Sequence, residues 1–381
     1  MNILPVQPVK QLPEVIFKKA SNKYEILKPV VFEMLETIDG HLIRKQDKVL
    51  IKPNFLLPAA QEKAVTTHPL VIKAVAEYAL GKGARVQISD SPATGSFKKI
   101  LEKGGYNKAF ADIDIEFKEF TASAKVDIGE PFGKIDMARD ALEADVVINL
   151  AKLKTHSQML LTLGVKNMFG CIIGFNKPEW HLRIGVDRQM FAKLLVQICK
   201  AVNPSITVID GILAMEGQGP GKGGTPRRLG ILAGGRDVLA VDKAVCNMLG
   251  VNPDAILTNA TAREMGLARD GINICGDFDM INNFRLPEIV SLTFGPNLFK
   301  KFMRRHLIQR PVADNTICSL CGECLNFCPA DAISKYSNKV HFDYDKCIRC
   351  YCCVEICPFG ALRTAEPWLG KIYRILFGQR G

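Results

Sequence analysis

Two runs of cysteine carry the densest chemistry in the chain. The first is Cys318-x-x-Cys321-x-x-Cys324-x-x-x-Cys328-Pro329, and the second is Cys347-x-x-Cys350-x-x-Cys353-x-x-x-Cys357-Pro358. Two-residue gaps let a tight loop turn three sulfurs toward one face of an iron–sulfur cube, the bacterial spacing for paired [4Fe-4S] clusters. The fourth cysteine of each run lies too far along the chain for the same cube and points at its neighbour. The spacing therefore assigns one cluster to Cys318, Cys321, Cys324 and Cys357, and the other to Cys347, Cys350, Cys353 and Cys328. Proline after each fourth cysteine fixes φ and keeps the backbone from closing back on itself. A four-cysteine zinc site would instead show two pairs separated by a longer gap. Nine of the 13 cysteines fall between Cys318 and Cys357, whereas a disulfide scaffold would spread them through a short secreted chain. Cys352 interrupts the second quartet. It reads as a spare buried thiol, with a ligand exchange or a redox thiol as alternatives.

A second set of reactive side chains lies upstream, without a fixed spacing. His156, Lys154, His181 and Lys166 are candidate catalytic residues, because histidine moves protons near neutral pH and lysine holds phosphate or carboxylate. Asn54, Asp90, Asn167, Asp210, Glu216, Gly217 and Gly219 are candidates for holding a cofactor or substrate. Each also has a plainer use. A strand-end aspartate caps or turns, a lysine is solvated, a lone histidine is structural, and the glycine-rich stretch 217–224 is a flexible loop. That stretch is no Walker loop, because Gly-x-x-x-x-Gly-Lys-[Ser/Thr] does not occur in it. Nor does it match a dinucleotide fingerprint.

The elements that must position these residues alternate in type. Short strands are expected at Val49–Ile51, Arg85–Ser89, Asp145–Leu150 and Ile206–Ile209. Helices are expected at Thr67–Leu80, with Pro69 near its first turn, and at Asp187–Val202. The alternation predicts an α/β fold, a mainly parallel sheet with flanking helices. Ligands in such sheets bind beyond the carboxyl ends of strands, where the candidates collect. The organisation expected is an extension at 1–44, an α/β domain at 45–298, a basic linker helix at 299–311, a small α+β two-cluster domain at 312–365 and a tail at 366–381. Within the cluster domain, Lys335–Lys339 reads as a hairpin turn.

Residues 312–365 resemble the two-cluster bacterial ferredoxins, and Cys-Pro-Ala-Asp-Ala-Ile at 328–333 echoes Cys-Pro-Phe-Gly-Ala-Leu at 357–362. The resemblance implies two pseudo-symmetric halves and low reduction potentials. The larger part resembles the domain of unknown function 362 family over roughly residues 45–290. The residues that carry this are Ile51-Lys52-Pro53-Asn54, Thr67-His68-Pro69, Ser89-Asp90-Ser91, Leu153-Lys154-Thr155-His156, Gly164 to Gly170, His181, Asp210-Gly211, Glu216 to Pro220 and Ala240-Val241-Asp242. The family implies this domain order and a candidate site, and supplies no reaction.

The formal charge is +11. Two oxidised clusters with their thiolates, at about −2 each, bring it to about +7. Apolar residues make up 48% of the chain, which argues against extensive disorder. No apolar run reaches the ~20 residues of a transmembrane helix. A cytoplasmic protein is expected. Its expected cofactors are two [4Fe-4S] clusters, with a flavin or other small molecule in the α/β domain left open. A redox partner protein and a small-molecule substrate are the expected partners. Nucleic acid is not expected, because no aromatic and basic platform is interleaved. Three readings stand: a redox enzyme, an electron carrier whose large domain docks a partner, and a binding protein with structural clusters.

Overall fold

The computed structural model describes residues 11–39, 41–174, 176–287 and 309–369. The linker segment 299–308, the first ten residues and the tail beyond 369 lie outside them. Among the described residues, eleven strands precede the cluster module: β1 Glu14–Lys19, β2 Lys48–Lys52, β3 Arg85–Asp90, β4 Glu116–Glu119, β5 Ser123–Asp127, β6 Lys134–Ala138, β7 Val146–His156, β8 Leu160–Thr162, β9 Ile206–Gly217, β10 Gly224–Gly235 and β11 Asn273–Gly276. All but the β5–β6 hairpin join one sheet, in the order β11-β1-β10-β9-β7-β2-β3-β4, with β8 paired to β7. The run β9-β7-β2-β3-β4 is parallel throughout. Antiparallel β10 and β1 extend it on the other side. The mainly parallel α/β fold read from the sequence is therefore present.

Helices cover both faces because the central strands are apolar on both. On one face, Ile51, Ile148 and Val208 pack with Leu35 of helix Tyr24–Asp39 and Val75 of helix Pro69–Gly81. On the other, Val147 meets Leu194 and Ile198 of helix Arg188–Val202. Full burial of one such aliphatic side chain contributes about 1.5–3 kcal/mol. Helix starts follow local chemistry. His68 Nδ1 accepts from Leu70 N at 3.2 Å ahead of Pro69, and Asp187 accepts from Met190 N at 2.8 Å. Both helices lie where the sequence placed them.

Three differences from the sequence reading matter. Residues 14–39 are no appendage, because β1 sits between β10 and β11 inside the sheet. Strand β7 does not stop at Leu150 but runs to His156, buried along its length. Strand β9 likewise runs past Ile209 to Gly217 and pairs with β10, and the glycine-rich residues 218–223 are the loop between the two strands.

The cluster module is closed by β12 Arg310–Ala313 pairing with β15 Leu362–Ala365. Its inner hairpin joins β13 Ile333–Tyr336 to β14 Lys339–Phe342. Ser337 and Asn338 form the turn with φ of 48° and 55°, the paired positive φ of a two-residue hairpin turn.

Candidate functional site

Three cysteines of the first run meet one of the second. Cys318, Cys321, Cys324 and Cys357 line one cavity, although Cys357 is distant in sequence. Burial pushes the Cys324 thiol up to about 11, and the facing Cys357, Cys321 and Cys318 add to the shift. Around the second quartet, burial raises the Cys328 thiol, and Cys350 and Cys347 add to it. Backbone N–H groups reach a sulfur in each half: Ala332 N donates to Cys328 Sγ and Ala361 N to Cys357 Sγ, both at 3.3 Å. N–H···S bonds of this kind tune cluster potentials. A cavity walled by four sulfurs, with repeat-related amide donors, fits a cluster.

The polar residues of the α/β domain converge on a second cavity. Its floor is built by strand ends. Lys52, at the end of β2, pairs with Asp90, at the end of β3, at 2.7 Å, both buried. Asp90 also accepts from Phe55 N at 2.8 Å. Gly170 packs on this pair, and a Cβ there would come within 2.5 Å of Lys52 Nζ and closer still to Asp90. Lys154 of β7 donates to Asn54 Oδ1 at 2.7 Å and to the Val65 carbonyl at 2.6 Å. Asn54 in turn donates to Asn167 Oδ1 at 2.9 Å. Lys177 donates to the carbonyl and hydroxyl of Ser91, both at 2.8 Å. Lys166 lies over the Phe169 ring at 4.8 Å. Its short helix, Gly164–Asn167, is anchored by Asp242, which accepts from Gly164 N at 2.7 Å and Val165 N at 3.0 Å.

Burial sets the electrostatics. Loss of water brings Lys154 and Lys177 down to about 7 and lowers Lys166. It pulls His181 down to about 3, and that ring packs against Phe191 with centroids 4.4 Å apart. His156 is held well below its usual value by burial, with Lys166 and Lys154 adding to the effect. Its Nδ1 accepts from Gln158 N at 3.1 Å and Met159 N at 3.3 Å, so the neutral ring carries its proton on Nε2. Both histidines are neutral at pH 7, not poised acids.

The remaining wall comes from the cluster module. Phe327, Cys352 and Ile356 line the cavity, and each immediately precedes a quartet cysteine in the sequence. Glu355 also lines it, with Oε1 3.1 Å from His156 Nε2. The two domains are packed closely here. Lys222 Nζ donates to the Pro358 carbonyl, Thr364 Oγ1 donates to Gln218 Oε1 at 3.0 Å, and a Cβ on Gly221 would lie 2.5 Å from the Glu355 carbonyl.

The structure thus brings His156, Lys154, His181, Lys166, Asn54, Asp90 and Asn167 to one cavity. Others stand apart. Asp210 is spent on Lys152, at 2.8 Å, and on His68 N, at 2.9 Å. Glu216 is held by Arg227 at 2.9 Å and Arg285 at 2.7 Å. Gly217 donates to the Arg285 carbonyl at 2.7 Å. Gly219 donates to Thr155 Oγ1 at 3.2 Å and shapes the wall only through Pro220, which lines the cavity. Lys177 and Glu355 were not foreseen. A glutamate within the apolar Val354–Ile356 run was the available signal for the second.

Fold and site together define an iron–sulfur protein, in which polar strand ends of an α/β domain face a 4Fe-4S dicluster domain. The dicluster domain matches residues 310–358. A family model described as Domain of unknown function (DUF362) matches residues 49–247, and the chain belongs to that family. It is 34% identical over 277 residues to "Thylakoid-associated protein sll1697" of Synechocystis sp. (strain ATCC 27184 / PCC 6803 / Kazusa), covering 71% of this chain and 86% of that one. It is 40% identical over 97 residues to "Electron transport protein HydN" of Escherichia coli (strain K12), covering 25% of this chain and 53% of the relative. Among solved structures, the lactate racemase apoprotein from Thermoanaerobacterium thermosaccharolyticum aligns at 15% identity and a TM-score of 0.35, over 52% of this chain and 50% of that one. A score that low adds nothing to the reading of the fold. No helix among the described residues is long and apolar enough to cross a membrane.

Proposed function

We propose that this chain is a redox protein of the cytoplasmic compartment whose interdomain cavity holds the compound that is oxidised or reduced. Two [4Fe-4S] clusters would be held by Cys318, Cys321, Cys324 and Cys357 and by Cys328, Cys347, Cys350 and Cys353. Bound there, they supply electrons one at a time. The observation that carries the reading is the shared wall: Phe327, Cys352 and Ile356 line the cavity and are each bonded to a quartet cysteine. A compound against that wall lies within a side chain's length of the sulfurs.

The chain's own groups have distinct tasks in this reading. Lys154, Lys166 and Lys177 hold and orient the compound. Lys154 and Lys177, both near 7, are matched to proton delivery at neutral pH. His156 donates its Nε2 proton to a hydrogen bond, and the apolar wall excludes water.

A second reading is a ferredoxin-type carrier whose large domain docks a redox partner protein. It is favoured by the exposed sulfur ligand candidate Cys321 and by the electron transport relative.

Anoxic purification with iron and sulfide counts, mass spectrometry of bound molecules and an electron paramagnetic resonance titration separates the two. The redox-enzyme reading expects about eight irons per chain, a copurifying small molecule or a spectrum that shifts when the cavity is filled, and loss of that shift in a Lys154→Met, His156→Ala double variant with iron content intact. Iron near eight, with a spectrum indifferent to both cavity and variant, selects the carrier.

A further inference from the structure

The lysines lining the cavity outnumber its carboxyl groups. Lys52 is neutralised by Asp90 at 2.7 Å. Lys154 donates only to neutral oxygens, the Asn54 amide and the Val65 carbonyl. Lys177 likewise donates only to the Ser91 carbonyl and hydroxyl and, at 3.4 Å, the Pro92 carbonyl. Lys166 rests over the rings of Phe169 and Phe191, at 4.8 and 5.7 Å. Among the described residues, none of these three ammonium groups has a carboxylate at ion-pair distance. Against them, Glu355 is the carboxyl lining the cavity that is not already paired to a lysine. Three lysines facing one carboxyl leave the cavity able to take up to two further negative charges. Buried charges are ordinarily paired, and lysines gathered around a cavity mark where a ligand supplies the missing charge. Phe55, Phe327 and Ile356 give the same cavity an apolar side.

We infer that the cavity takes a small organic dianion, a phosphate monoester or a dicarboxylate, with its anionic groups on Lys154, Lys166 and Lys177 and its carbon body against the wall of the cluster module. This deepens the redox reading above and rests on it for the fate of the ligand, but not for its binding.

Binding can therefore be measured without turnover. Isothermal titration calorimetry on oxidised, cluster-loaded protein compares phenyl phosphate and succinate, as dianions, with benzoate and acetate, as monoanions. At least one dianion is expected to bind about tenfold or more tighter than its monoanionic counterpart, the change for one extra hydrogen bond to a charged group. Which dianion binds separates phosphate from dicarboxylate chemistry. Lys166→Met retains the contact with the rings and is expected to weaken that dianion by about tenfold. If this variant loses its clusters, Lys154→Met serves, with the same loss expected. The inference is overturned if neither dianion binds, if the monoanions bind as tightly, or if a variant with full iron content binds the dianion unchanged. A dianion that binds yet leaves the spectrum of the dithionite-reduced clusters untouched supports this inference and contradicts the redox reading.

Discussion

His156 Nε2 lies 3.1 Å from Glu355 Oε1, joining the last residue of β7 to a buried helix of the cluster module, Cys352–Ile356. Two backbone amides on Nδ1 leave the ring's proton on Nε2, beside a carboxyl oxygen that accepts no hydrogen bond. The contact ties the two domains together at the edge of the cavity that they share.

Glu355→Ala should loosen that join without emptying the clusters, since Glu355 supplies no sulfur. Losing this buried side chain at the domain seam costs about 0.5–3 kcal/mol. The expected outcome is a lower Tm and faster proteolysis between the domains, with iron content unchanged. A variant as resistant as the wild type would show that the contact does not hold the domains.

Gly170→Ala tests the floor. Its new Cβ would collide with the Lys52–Asp90 pair, which is buried beneath it. Overpacking of this sort costs about 1–3 kcal/mol, more if the pair separates. Denaturation midpoints should fall, and ligand binding in the cavity should fall with them, while Gly174→Ala, whose Cβ would meet nothing within 4 Å, reports the cost of replacing glycine at a positive φ in open space.

The buried Lys154 gives a pH signature. Its folded value, about 7, lies below the unfolded 10.5, so the unfolded chain binds more protons between these limits. Stability from this group must rise with pH across that window. Lys154→Met lacks the effect. The Tm of the variant minus that of the wild type should fall as pH is raised from about 6 to about 9, as read by differential scanning calorimetry. A difference that stays constant would show Lys154 charged throughout.

Cys352 and Cys353 are neighbours with different expected fates. Cys352 lines the cavity and belongs to neither quartet. Cys352→Ala should keep about eight irons, whereas Cys353→Ala should lose one cluster and fall toward about four. Equal iron loss in both would make Cys352 a ligand.

The quartets were legible because cluster chemistry imposes a local spacing that few other uses of cysteine share. The parallel sheet was legible for a similar reason: apolar runs such as Val146–Leu150 between helix patterns leave few alternatives. Local pattern failed where a polar residue is buried by a distant partner. Lys152, Lys154 and His156 looked like the end of a strand, yet they continue β7 because Asp210, Asn54 and the backbone amides of Gln158 and Met159 engage them. Asp210 and Glu216 looked like ligand holders, yet lysine and arginine from other elements consume their charge. Spacing along the chain determined the sulfur ligands and the class of fold. Only the tertiary structure decided which lysines remain without a carboxylate and that the cluster module closes their cavity, because charge balance and enclosure depend on neighbours in space rather than in sequence.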